Sequence, residues 1–199
     1  MTTYTLPAGV VPASMVWGLQ RKAVRSTSDF TGSSQTVDLL AWLWSVEIRI
    51  NNSNRNGVAN ELEALFNLLT GGVDKLQLHR LDKPAPRGTL RGTPTLIGSH
   101  AQFAATLSVQ TTAGATLLAG DFMGMAGQLL QVAANCTANG SGVLSVPLVN
   151  RIRASAAGGT ALVWDRPSVL FKAEDTASAF ELLPGKRMGA FAFKFMEAL

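Results

Sequence analysis

The sequence predicts a mainly β protein with one helix, in which both chain ends build one β-sandwich or barrel domain and the middle forms an inserted small all-β domain. Three observations carry this. Residues alternate in hydrophobicity near both ends, at Trp42–Ile50 and at Phe191–Phe195, which is the period-two mark of a strand with one buried face. One segment only, from Val58 to Leu69, repeats its apolar residues at helical spacing. Asp121 is the single charged residue between Arg91 and Arg151, a break in composition that sets the middle apart.

Taken in order, the strand at 42–50 points Trp42, Trp44, Val46, Ile48 and Ile50 to one side and Leu43, Ser45, Glu47 and Arg49 to the other. An Asn-rich turn over 51–57 leads into the helix, whose apolar positions are Val58, Leu62, Leu65, Phe66 and Leu69. Gly71-Gly72 supplies its left-handed stop. A strand over 73–81 follows. Lys83-Pro84-Ala85-Pro86-Arg87-Gly88 and the echo through Pro94 read as a linker or exposed loop, because proline and glycine prevent helix or central strand. Short strands are expected at 103–109, 128–133, 143–146 and 162–164, separated by Gly-, Asn- and Ser-rich turns. The terminal phenylalanine strand requires a sheet, and pairing with the N-terminal strands is the simplest solution. The expected domains are therefore 1–87 with 166–199, and 88–165, with the helix at about 58–70.

Composition narrows the function. The 199 residues are 47% hydrophobic and only 15% charged, against a usual charged share of about a quarter, so the chain is globular and its surface has little charge to keep copies apart. Lys and Arg number 17 against 13 Asp and Glu, a net charge of +4, and no basic run exceeds Lys186-Arg187. One cysteine, Cys136, rules out an intrachain disulfide and reads as a buried, inert residue. The N-terminus lacks a basic start and apolar run, so folding in a reducing cytoplasm is expected. The two uncharged stretches contain too many polar residues to span a membrane.

Chemistry is sparsely represented. With Cys136, His79 and His100 as the only soft ligands, no spaced zinc cluster exists, and neither a metal nor a cofactor is expected. Glu61 with Glu63 and Glu174 with Asp175 read as a solvated helix face and a turn rather than a cation loop. Ser99-His100 is the one pairing suited to nucleophilic catalysis, and it reads as turn or strand residues; no enzyme is expected. Asp121 after Gly120 fits a tight turn. Arg80, Lys83, Arg87 and Arg91 could meet phosphate, but Asp82 lies among them and no aromatic interleaves them, which favours a solvated or subunit-contacting loop. Trp17 and Trp164 are candidate interface or glycan contacts, with Arg87 and Arg91 as further candidates.

Several motifs run together. Ser28-Asp29-Phe30-Thr31-Gly32-Ser33-Ser34-Gln35 precedes the Trp42–Ile50 strand, the helix and Leu68-Leu69-Thr70-Gly71-Gly72. Later come Leu118-Ala119-Gly120-Asp121-Phe122-Met123-Gly124-Met125, Leu129-Leu130-Gln131-Val132, the turn Asn139-Gly140-Ser141-Gly142, and Val143-Leu144-Ser145-Val146-Pro147-Leu148 near Arg151 and Arg153. This series resembles the distal tail protein, or baseplate hub, family of long-tailed, non-contractile bacteriophages; Asn139 stands where that family usually has an acidic turn residue. The resemblance implies a tail-tube-like β-domain, a homo-oligomeric ring expected to be a hexamer, and a position at the virion tail tip, between tail tube protein and tip or hub proteins. Genome DNA would pass through the lumen without specific binding. A carbohydrate- or receptor-binding β-module is the alternative from another class, with Trp17 and Trp164 on its binding face.

Overall fold

The computed structural model describes residues 1–51, 56–175 and 190–198, with helix side chains described from Asn60 onward. Part of the turn expected over 51–57, the Val58 side chain, Lys186 and Arg187 lie outside the described residues. The chain is mainly β with one helix. In chain order the elements are β1 (Thr3–Tyr4), β2 (Ser14–Thr27), β3 (Ser34–Ile50), α1 (Asn56–Leu69), β4 (Lys75–His79), β5 (Thr95–Leu96), β6 (Thr106–Gln110) and β7 (Thr116–Leu117). They continue with β8 (Phe122–Met125), β9 (Gln128–Gln131), β10 (Cys136–Thr137), β11 (Val143–Pro147), β12 (Ser168–Ala173) and β13 (Phe191–Glu197). No described helix is long and apolar enough to cross a membrane.

Strands from both ends form one six-stranded sheet in the order β1-β4-β12-β13-β3-β2. The terminal strand finds its place between β12 and β3, antiparallel to both, with Phe191 opposite Ile50, Phe193 opposite Ile48 and Phe195 opposite Val46. This register puts two alternating apolar sets on one face, as burial demands, since a one-residue slip would turn both outward. Helix α1 covers that face. Its Leu62, Leu65, Phe66 and Leu69 are buried, and Phe66 stacks on Phe193 with centroids 4.2 Å apart while meeting Phe191 edge-on at 5.2 Å. Each such side chain contributes about 1.5–3 kcal/mol through burial. The helix stops where the glycines allow it, at Gly71 (φ 86°) and Gly72 (φ 68°). Glu197 is buried at the end of β13, where its carboxylate accepts the Trp44 N–H at 2.9 Å.

The middle of the chain forms three small sheets, ordered β11-β6-β5, β10-β7 and β8-β9. Their core gathers Leu90, Leu107, Val109, Leu117, Met123, Leu130, Leu144, Val146 and Ile152. The β8-β9 turn is Ala126-Gly127, both at positive φ, the left-handed pair a two-residue hairpin needs. Buried polar groups here are answered by neutral amides. Asn150 accepts the Gln131 N–H and donates to the Leu129 carbonyl, while Gln128 donates to the Arg151 carbonyl and accepts the Arg153 N–H. Asn150 thus stands in for a missing strand beside β9, and Gln128 of β9 answers the backbone of 151–153 in the same way.

Two expectations need correction. Residues 162–164 form no strand; Val163 makes a single bridge with Gly124 of β8 while the adjacent Ala161 bridges Thr95 of β5, so the segment passes from one small sheet to another without extending a ladder in either. Residues 83–91 are not an exposed linker, since Pro86, Gly88 and Leu90 are buried. Contacts divide the chain into two compact units, Met1–Gln20 with Leu43–Leu78 and Leu170–Leu199, and Arg21–Trp42 with His79–Val169.

Candidate functional site

The hairpin of β2 and β3 is longer than any other pairing, with strands of 14 and 17 residues. Its turn closes through Ser28 N–H to the Ser33 carbonyl and Gly32 N–H to the Ser28 carbonyl, both 2.9 Å. From Gln20 to Leu39 every residue except Ser28 and Asp38 is exposed. One face is polar: the Arg21 guanidinium pairs with Asp38 and lies 4.5 Å from the Trp42 ring, and Arg25 bonds the Ser34 hydroxyl. Strand alternation therefore puts Lys22, Val24 and Ser26 on the opposite face with Val37 and Leu39. Val24, Val37 and Leu39 are 55%, 52% and 53% exposed, and Phe30 at the tip is wholly exposed. This face thus carries three exposed apolar side chains among polar ones.

Leu40 in the arm adopts φ 55°, a conformation that side chains disfavour, and its N–H is held at 3.0 Å by the Asp38 carboxylate. The Arg21 guanidinium, bonded to Asp38, is the main cause that holds that carboxyl below the usual range.

Residues 83–91 show the opposite design. Asp121, expected as a tight-turn residue, closes a turn through its N–H to the Leu118 carbonyl at 2.9 Å, and it is only 2% exposed. Its carboxylate accepts N–H groups from Leu118 at 2.8 Å, Arg87 at 3.0 Å and Gly88 at 3.1 Å, and the Arg87 guanidinium adds a contact at 3.4 Å. Burial alone would push the carboxyl up; the three backbone donors and Arg87 outweigh it and hold the group below its ordinary value. Gly88 is required here because a Cβ would stand 2.1 Å from the Thr116 carbonyl oxygen.

The cations considered for phosphate are engaged by their own chain. Arg80 forms a two-pronged pair with Asp82 at 2.6 and 2.8 Å and lies over the Phe122 ring, with Lys83 beside it. Arg87 also donates to the Ala119 carbonyl, and Arg91 donates to the carbonyls of Gly88 and Leu90. Of the two candidate tryptophans, Trp164 donates its indole N–H to the Gly92 carbonyl at 2.8 Å beneath the Arg91 guanidinium, 4.9 Å from the ring. Trp17 meets Trp44 and Phe171 edge-on at 6.4 and 5.5 Å. Both rings are half-buried and serve packing. Arg87, Arg91 and Trp164 come together near 83–92, whereas Trp17 belongs to the other unit.

His100 accepts the Ser108 N–H through Nε2 at 3.2 Å and bridges Ala156, while Ser99 is exposed. Cys136 is half-buried against the inserted core, and burial pushes its thiol up, away from the reactive thiolate. Among the described residues no group of three or more His, Cys, Asp or Glu is placed to hold a metal ion. A recess of about 230 Å³ lies beside Gln128, Arg153, Ser155 and Thr160.

The residues that sequence reasoning missed are those of the arm. The signal was present as the alternation of Lys22, Val24 and Ser26 and of Val37 and Leu39 about a Gly32 turn, but it lacks the large apolar groups that mark a buried strand. No protein-family model matches the chain, and no curated protein matches it.

Proposed function

We propose that the chain is a structural subunit, without catalytic activity, that associates head to tail with its own copies into a closed ring. In the reading that its tail-protein-like motifs suggest, the ring is a hexamer that joins the tail tube to the tip of a phage tail, and its lumen passes DNA without reading it. The observation that carries the proposal is the β2-β3 arm, with Val24, Phe30, Val37 and Leu39 bare to water on strands long enough to reach a neighbour. Several exposed apolar side chains on one projecting hairpin suit a contact to be made. A closed ring uses two different patches on each subunit, and its function is a matter of interface geometry rather than chemistry.

The test is native mass over a range of concentrations, alone and with tail-tube and tip proteins. A discrete ring is expected. A strictly monomeric species under all these conditions would overturn the proposal.

A further inference from the structure

The bare face of the arm has a matching surface elsewhere on the chain. On α1, Leu62, Leu65, Phe66 and Leu69 face the sheet, which leaves Glu61, Ala64 and Leu68 as an outward stripe at spacings of three and four, with Glu63 exposed beside it. Leu68 is 51% exposed. The described part of the helix carries carboxylates and no cation. Among the described residues neither Glu61 nor Glu63 is in an ion pair, and neither is Lys22 on the arm's apolar-bearing face. One surface sets apolar side chains beside the unmatched positive charge of Lys22, and the other sets them beside unmatched negative charge.

We infer that the arm face bearing Lys22, Val24, Val37 and Leu39 docks on the outward stripe of α1 of a second copy, setting Lys22 against Glu61 and the three apolar side chains against Ala64 and Leu68. The dimensions agree: the stripe from Glu61 to Leu68 spans about 10 Å at 1.5 Å per residue, and the Val37–Leu39 step covers about 7 Å of strand beside Val24. Among the described residues both surfaces stay exposed. Because the patches differ, a pair of copies joined this way still offers one free arm and one free helix. Such a contact propagates until it closes. This inference rests on the ring reading and names its two faces.

A charge exchange in the full-length protein tests it. Lys22→Glu and Glu61→Lys are each expected to weaken self-association about tenfold, as read by sedimentation at several concentrations, and the double variant is expected to restore it. The loss should grow smaller as salt is raised, because screening removes the attraction being exchanged. Thermal melts should show that each variant folds as the parent does. As an independent arm, Val24→Cys protein mixed with Leu68→Cys protein is expected to give an oxidised cross-linked pair that neither gives alone.

Association that persists unchanged in both charge variants overturns the docking while leaving the ring intact, and so does a cross-link formed by Val24→Cys alone. A wild-type chain that never associates removes the ring reading itself. Sedimentation of a monomer with phosphatidylglycerol vesicles, lost on Phe30→Ser, would assign the arm to lipid and overturn the inference.

Discussion

Residues 83–91 form neither helix nor strand, yet Pro86, Gly88 and Leu90 are buried and a carboxylate gathers their backbone. Residues 21–42 run almost wholly through two long strands, yet nearly all their side chains up to Leu39 stand in water. The difference teaches that regular hydrogen bonding and structural completeness are separate properties. The irregular loop is held within its own chain, because Asp121 answers the buried Gly88 N–H and the part-buried N–H groups of Arg87 and Leu118. The arm pairs Arg21 with Asp38 and Arg25 with Ser34 on one face and leaves Val24, Val37 and Leu39 exposed on the other, and in the ring reading proposed above a second copy covers them. Substitutions in the first region should be read as stability, and those in the second as association.

The largest effect is expected from Asp121→Ala. It strips the acceptor from the buried N–H of Gly88 and the part-buried N–H groups of Arg87 and Leu118, at about 1–3 kcal/mol for the buried donor and less for each of the others. A loss of about 3 kcal/mol should lower the melting temperature by about 6–12 °C for a chain of this size. Hydrogen exchange at Gly88 and Leu118 should rise first. A melt within 1 °C of the parent would erase the distinction between the two regions.

Acid should act on the same carboxylate. Its folded pKa lies below the ordinary value, while the unfolded group titrates near 3.9, so the unfolded state takes up the proton first as pH falls. The stability contributed by the ionised carboxylate is complete above about pH 5 and is lost as pH drops through the folded pKa. Urea midpoints at pH 7 and pH 3 should therefore differ more in the parent than in Asp121→Ala. Equal differences would place the acid sensitivity elsewhere.

Gly88→Ala tests the same region by volume rather than charge. A methyl 2.1 Å from the Thr116 carbonyl oxygen must push the loop from its neighbour, and overpacking of this kind costs about 1–3 kcal/mol. The expected melting shift is smaller than for Asp121→Ala. A neutral result would mean that the loop can give way, contrary to its burial.

Legibility in the sequence followed the same division. The strands at 42–50 and 191–195 were readable because bulky apolar residues alternate there, and that pattern appears only when one face is buried and the other is not. Helix α1 was readable from Leu62, Leu65, Phe66 and Leu69 for the same reason. The 83–91 loop was misread because prolines and glycines report what backbone shapes are forbidden, not whether a distant carboxylate will bury them; Asp121 lies 33 residues from Gly88. The arm escaped notice because a strand exposed on both faces carries no burial pattern. Val24, Val37 and Leu39 are too widely spaced by polar residues to announce a core, and in the single chain they do not belong to one.

The smallest effect on folding is expected at the arm's tip, where it carries the most information. Phe30 is fully exposed, so Phe30→Ser removes no packing from the single chain, and surface changes of this kind stay within about 0.5 kcal/mol. The melt of the dilute monomer should be unchanged. The same substitution should weaken self-association, because an aromatic ring bare to water in one copy gains its burial only against another. A fall in monomer stability above about 1 kcal/mol would show that Phe30 packs within its own chain, and the arm would then be complete in the way that residues 83–91 are. Unchanged stability with weakened association would separate the regions cleanly: one holds the subunit together, the other joins it to its neighbour.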